Sequence, residues 1–216
     1  MPDFDAILFD FDGVLIDSEP IHWRCWSEVL EPMGVRLDWE FYRESCIGID
    51  DREMLRMMAS RSDPPRDWEH LWAQYPAKRE LFRSRMLSAP PFPGGLVELL
   101  DDLREMYKMA VVTSSGRPEV EPMLEAAGLR RYFDAMVCAR DAARHKPAPD
   151  PYLRAAELLG ARMPLVVEDS EAGVASGRSA GFEVLVVPDA ARTPELVRRR
   201  LSGSAAPAGS GGPGLL

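Results

Sequence analysis

Three cysteines in 216 residues are too few, and odd in number, for a disulfide framework. Cys25, Cys46 and Cys138 lie far apart in the chain. They fit buried thiols in a reducing compartment. No run approaches the roughly 20 apolar residues that a bilayer crossing needs. No early segment joins a basic start to a long apolar stretch. The chain is therefore expected to be soluble and cytoplasmic, with no membrane partner. Positive charge is also short: 26 Lys and Arg against 35 Asp and Glu leave a formal net charge of −9. That balance argues against nucleic-acid binding, but not against a small anion held in a locally positive pocket.

What is present is an ordinary globular composition, 46% hydrophobic, enough for a real core. The length suits one domain, or one domain carrying an insertion, and a monomer is expected. From residue 94 onward, short β-branched runs alternate with helical patterns. KMAVVTSS (108–115), AMVCAR (135–140), PLVVEDS (164–170) and FEVLVVPD (182–189) read as strands. Between them, 94–107, 118–129, 150–160 and 171–181 carry apolar residues at three- and four-residue spacing, the mark of amphipathic helices. Asp150 before Pro151 is expected to cap a helix with proline at its first position. Gly128, Gly160 and Gly181 stand where helices should stop. The alternation predicts an α/β fold: a doubly wound, Rossmann-like parallel sheet covered by helices on both faces. No internal repeat appears beyond it.

Residues 18–89 break the alternation. They look helical and hold all five tryptophans, expected to build a separate aromatic core. The segment APPFPGG (89–95) reads as a stiff hinge. The expected organisation is a core of 1–17 and 90–201, an inserted α-helical cap domain at 18–89, and a low-complexity tail at 202–216, expected to be disordered.

The chemistry concentrates at strand ends. DAILF (5–9) is followed by DFDGVLIDSEP (10–20). Side chains alternate along a strand, so Asp10 and Asp12 share one face while Phe9 and Phe11 share the other. Crowded carboxylates at a strand end need a cation between them. In a parallel α/β sheet, ligands bind beyond the carboxyl ends of the strands. That edge should gather Asp10 and Asp12, Thr113-Ser114-Ser115, Lys146, and Glu168-Asp169. Three or four carboxylate oxygens around one point suit Mg²⁺. Hydroxyls, backbone N–H groups and an ammonium beside them suit a phosphate. A metal, a phosphate and a further acid are the equipment of phosphoryl transfer.

DFDGVLIDSEP, VVTSS, HKPAPDPY and VVEDSEAGVASGRSAG resemble, in order, the four motifs of the haloacid dehalogenase superfamily. The similarity runs to about residue 190. The helical insertion after the first motif resembles the cap of the β-phosphoglucomutase-like branch, which includes many sugar-phosphate phosphatases. The resemblance implies Asp10 as nucleophile and Asp12 as general acid and then base. It implies Thr113 and Ser114 as phosphate-binding, Lys146 as charge-neutralising, and Asp10, Asp12 (through its backbone carbonyl), Glu168 and Asp169 around Mg²⁺. His22 is a candidate substrate contact from the cap.

The implied activity is hydrolysis of a small phosphorylated metabolite, a sugar phosphate above all. The alternative is a β-phosphoglucomutase-type isomerase. Such mutases resemble this chain at GIDDREML (48–55), but there an arginine stands three residues after the glycine. Here that position is Asp51, and Arg52 follows one later. A one-residue shift turns a helical side chain by about 100°.

Overall fold

The computed structural model describes residues 4–47 and 49–203. Of the tail expected to be disordered, residues 204–216 lie outside the described residues. Five strands form one sheet: β1 (Ala6–Phe9), β2 (Lys108–Val112), β3 (Ala135–Val137), β4 (Pro164–Glu168) and β5 (Glu183–Val186). Their order is β3-β2-β1-β4-β5, with every pairing parallel. β1 lies at the centre, and all four of its residues are buried.

Two apolar layers cover the sheet. Ile7 and Phe9 of β1 pack into one, with Leu99, Leu103, Val120, Met123 and Val197. These come from α6 (Leu96–Arg104), α7 (Arg117–Ala126) and α10 (Thr193–Leu201). Ala6 and Leu8 pack into the other, with Tyr152, Ala155 and Leu159 of α8 (Asp150–Leu159). Successive β1 residues thus serve opposite faces, as strand alternation requires. The doubly wound parallel sheet expected from the sequence is the fold observed.

Between β1 and β2 the chain inserts α1 (Glu19–Leu30), α2 (Trp39–Ser45), α3 (Asp51–Arg61), α4 (Trp68–Trp72) and α5 (Tyr75–Ser88). This insertion has its own core. Trp26 is fully buried with Leu30, Leu55 and Leu71, and Trp23, Trp39, Trp68 and Trp72 pack around them. The outgoing and returning strands of chain lie side by side, since the Asp17 N–H donates to the Pro91 carbonyl at 3.2 Å. The three cysteines are free and buried. No helix among the described residues is long and apolar enough to cross a membrane.

Local expectations fail at two points. Asp150 does not cap α8: Pro149 takes that position and Asp150 is the first helical residue. Its carboxylate is drawn to Arg144, whose Nη2 lies 2.8 Å from Oδ2. A charged partner outcompetes the neutral amides that a cap would serve. The strands are also shorter than their β-branched runs. β3 stops at Val137, where the chain turns into a loop closed by the Asp141 carboxylate on the Cys138 N–H at 2.9 Å.

Candidate active site

The Asp10 N–H donates to the Val167 carbonyl at 2.9 Å, so the sheet holds the backbone one residue past β1. Phe9 and Phe11 are wholly buried in the apolar layer. Asp10 and Asp12 are therefore left on the side of the strand that faces the cleft. The chain then turns sharply at Gly13, whose φ is 76°, a region open to glycine at no steric cost. The glycine is needed for space as well: a Cβ there would lie 2.0 Å from Oδ2 of Asp169.

Lys146 arrives on the loop before α8. Its Nζ donates to Asp10 Oδ1 at 2.5 Å, to the Val112 carbonyl at 3.0 Å and to Glu168 Oε1 at 2.6 Å. Three protons thus meet three acceptors. Burial alone would lower the Lys146 pKa, but the Asp10 and Glu168 carboxylates hold it above its ordinary value. Burial pushes the Asp10 carboxyl well up; Lys146 opposes that and Glu168 adds to it.

Glu168 ends β4 with no exposed surface. Its Oε1 also accepts from the Tyr152 hydroxyl at 2.8 Å. Its Oε2 accepts from the Asp169 and Ser170 N–H groups at 3.0 and 3.1 Å, and from Ser170 Oγ at 3.0 Å. Ser170 also caps α9 (Glu171–Ser179), accepting from the Gly173 N–H at 3.1 Å.

Asp12 is suspended between two hydroxyls. Ser115 Oγ donates to its Oδ2 at 2.8 Å and Ser18 Oγ to its Oδ1 at 3.3 Å. Burial raises its pKa, and those two bonds oppose the rise. Thr113 is almost fully buried. Its Oγ1 accepts from the Ser115 N–H at 2.9 Å, which leaves its own proton free to donate.

These groups open onto a cleft of about 320 Å³, lined by Asp10, Asp12, Thr113, Ser114, Lys146 and Asp169 from the sheet edge. That size suits a small metabolite. Ser18, Glu19 and Ile47 line it from the side of the insertion. The structure thus gathers six of the residues named from the sequence, with Glu168 buried directly behind them.

His22 is not among the lining residues. Its Nδ1 lies 2.7 Å from Lys78 Nζ, and its ring stacks on Phe82 at 3.9 Å between centroids. Burial and the neighbouring Lys78 charge lower its pKa to about 4, so the ring is neutral and its Nδ1 can accept a hydrogen bond from the Lys78 ammonium.

The donor set fits a hard divalent cation. One carboxylate oxygen each from Asp10, Glu168 and Asp169 lies within 4.8 Å of the other two. Burial and the nearby Glu168 raise the Asp169 pKa to about 6. Carboxylates that resist ionising together are those a cation would stabilise.

Two contacts were not foreseen from the sequence. Ser115 was expected at this edge within Thr113-Ser114-Ser115, and only the turn geometry aims it at Asp12. Tyr152 stood inside HKPAPDPY as a helix residue, and only the approach of α8 to β4 puts its hydroxyl on Glu168.

Comparison with known proteins points the same way. The profile described as haloacid dehalogenase-like hydrolase matches residues 7–187. The chain is 32% identical over 194 residues to fructose-1-phosphate phosphatase YqaB of Escherichia coli K12, covering 85% of this chain and 96% of that protein. It is 30% identical over 182 residues to the phosphorylated carbohydrates phosphatase of Thermotoga maritima, covering 83% and 82% respectively. A crystal structure of a superfamily hydrolase of subfamily IA from Geobacter sulfurreducens PCA matches with a TM-score of 0.73 at 25% identity, covering 91% of this chain and 96% of that one.

Proposed function

The chain belongs to the haloacid dehalogenase-like hydrolase family, and from that premise we propose that it is a Mg²⁺-dependent phosphatase of small phosphorylated metabolites, sugar phosphates in particular, acting through an aspartyl phosphate on Asp10. The observation that carries the reading is the division of labour between two aspartates one residue apart. Asp10 is bonded to an ammonium and Asp12 to two hydroxyls. The first environment suits a nucleophile; the second, a proton carrier.

In the proposed sequence, the Asp10 carboxylate attacks phosphorus and the ester P–O bond breaks. Asp12 gives its proton to the departing oxygen. Its pKa, raised by burial, suits that role. The Thr113 hydroxyl and the Ser114 N–H take the phosphoryl oxygens, and Lys146 offsets the charge on Asp10. A water then attacks phosphorus, Asp12 takes back its proton, the bond from phosphorus to Asp10 breaks to restore the carboxylate, and inorganic phosphate leaves. Asp10 and Asp169, with the Asp12 backbone carbonyl, would hold the cation, which supplies Lewis-acid charge to the phosphoryl group. Glu168 would complete that set through one oxygen; its two oxygens also accept from five donors, which holds Lys146 against Asp10.

Contacts around Asp51 support hydrolysis over the isomerase alternative. Asp51 accepts from Trp26 Nε1 at 2.8 Å and from Lys78 Nζ at 3.3 Å. Arg52 lies over the Trp72 ring, 4.8 Å from its centroid. Neither lines the cleft, so neither offers a grip for the second phosphate that a mutase must hold.

The test is turnover of a phosphometabolite panel with and without Mg²⁺, reading free phosphate and sugar-phosphate isomers, beside Asp10→Asn. Phosphate release that requires both Mg²⁺ and Asp10 is expected. Undiminished release by Asp10→Asn overturns the nucleophile, and isomer formation without free phosphate overturns hydrolysis.

A further inference from the structure

The cleft has two chemically distinct halves. At the sheet edge, Lys146, Thr113 and Ser114 provide donors for one phosphoryl group. Lys146 is the single cationic residue among the described residues lining the cleft. Toward the insertion the lining is Asp17, just before it, with Ser18, Glu19 and Ile47, two acids, one hydroxyl and one apolar side chain. Ile47 is 43% exposed, a large apolar group left open to the cleft.

Glu19 is fixed in place. Its Oε2 accepts from the Tyr42 hydroxyl at 2.8 Å, which leaves Oε1 to accept a further donor. Two cations of the insertion are engaged elsewhere. Lys78 is 3% exposed and bonded to His22 and Asp51; Arg52 lies over Trp72.

We propose that Glu19, anchored by Tyr42 and flanked by Asp17, is a specificity-determining residue that selects phosphomonoesters whose leaving group carries hydroxyls and no second anionic group. The proposal rests on the phosphatase reading of the same cleft. A substrate hydroxyl donating to Glu19 makes a charge-assisted bond. A second phosphate brought to the same half meets the Asp17 and Glu19 carboxylates instead, while Lys78, whose charge acts on Glu19, is bonded to His22 and Asp51. One unit of like charge about 6 Å away, at an effective dielectric near 20, corresponds to on the order of 10²-fold in binding before salt screening. Rejection by like charge discriminates more sharply than loss of one apolar contact.

The test pairs fructose 1-phosphate with fructose 1,6-bisphosphate, measuring phosphate release with Mg²⁺ in the wild type, Glu19→Gln and Asp17→Asn. The expected wild-type kcat/KM favours the monophosphate by about 10- to 100-fold at low ionic strength. That preference should narrow as salt rises. Glu19→Gln keeps an acceptor for Tyr42 and removes the charge. It should shrink the preference several-fold, mostly through KM for the bisphosphate, and flatten its salt dependence. Asp17→Asn reads the same repulsion without the Tyr42 contact, so the test survives if the first variant folds poorly. Equal turnover of both esters by the wild type, or a preference that neither variant moves, overturns the proposal while the phosphatase reading stands. No Asp10-dependent phosphate release from any ester overturns both.

Discussion

Replacing Lys146 with Met leaves a similar apolar stem and removes one positive charge from a buried cluster. Glu168 has no exposed surface and Lys146 only 6% exposure in its side chain. Removing one partner of a buried ion pair costs about 3–5 kcal/mol, because the other charge stays behind. Here Glu168 keeps four donors, from Tyr152, the Asp169 and Ser170 amides and the Ser170 hydroxyl. The cost should therefore fall at the lower end, about 3 kcal/mol. For a chain of this size that is a melting decrease of about 6–12 °C.

The second half of the prediction is a rescue. Adding Glu168→Gln to Lys146→Met removes the stranded charge. Its carbonyl can keep the Asp169, Ser170 N–H and Ser170 hydroxyl donors, and the Tyr152 hydroxyl can turn to accept from its amide. The double variant should recover about 2 kcal/mol by non-additivity of contacting sites. It should recover no activity, because Asp10 still lacks its ammonium. Urea and thermal unfolding at pH 7 without metal, with phosphate release in parallel, measure both. A loss under about 1 kcal/mol for Lys146→Met, or a double variant no more stable than the single, would refute the buried-charge reasoning.

Asp12→Ala should keep the fold and lose a factor of about 10² to 10⁴ in kcat for esters of poor leaving groups, the usual contribution of proton transfer. The loss should be smaller for an aryl phosphate whose leaving oxygen needs no proton, and equal losses on both would count against Asp12 as the acid. Tyr152→Phe removes one donor from buried Glu168 and should cost about 1–3 kcal/mol in urea unfolding.

The Asp169 pKa is raised to about 6, above the unfolded value near 4. Without metal, its contribution to stability is present below the unfolded pKa and is lost as pH rises through 6. Mg²⁺ requires the ionised form, so its stabilising shift should be small below about pH 5 and full above about pH 7. Differential scanning at several pH values with and without Mg²⁺ tests this, and Asp169→Asn should erase the pH-dependent gain.

Much of this protein was legible in its sequence because local rules and global fold agree. Alternating β-branched runs and amphipathic helices dictate a parallel sheet, and a parallel sheet gathers its strand ends at one edge. Asp10, Asp12, Thr113, Ser114, Lys146 and Asp169 follow from that geometry, since each lies at a strand end or in the loop beyond it. The aromatic core of the insertion was equally readable from tryptophan clustering. Periodicity could not supply contacts between residues distant in the chain. Ser115 reaches Asp12 across 103 positions and Lys146 reaches Asp10 across 136. Whether a carboxylate faces a cation, a hydroxyl or water depends on how loops settle over the sheet.

Tertiary structure alone turned Glu168 inward to five donors, set His22 against Lys78 and Phe82, and gave Asp150 to Arg144 instead of to the helix it begins. It also placed Glu19 and Ile47, and among the described lining residues no cation, on the insertion side of the cleft. Strand and helix identity are written in spacing because backbone geometry repeats every two or 3.6 residues. The partner of a charged side chain is decided by burial and by which opposite charge the packed chain brings within reach.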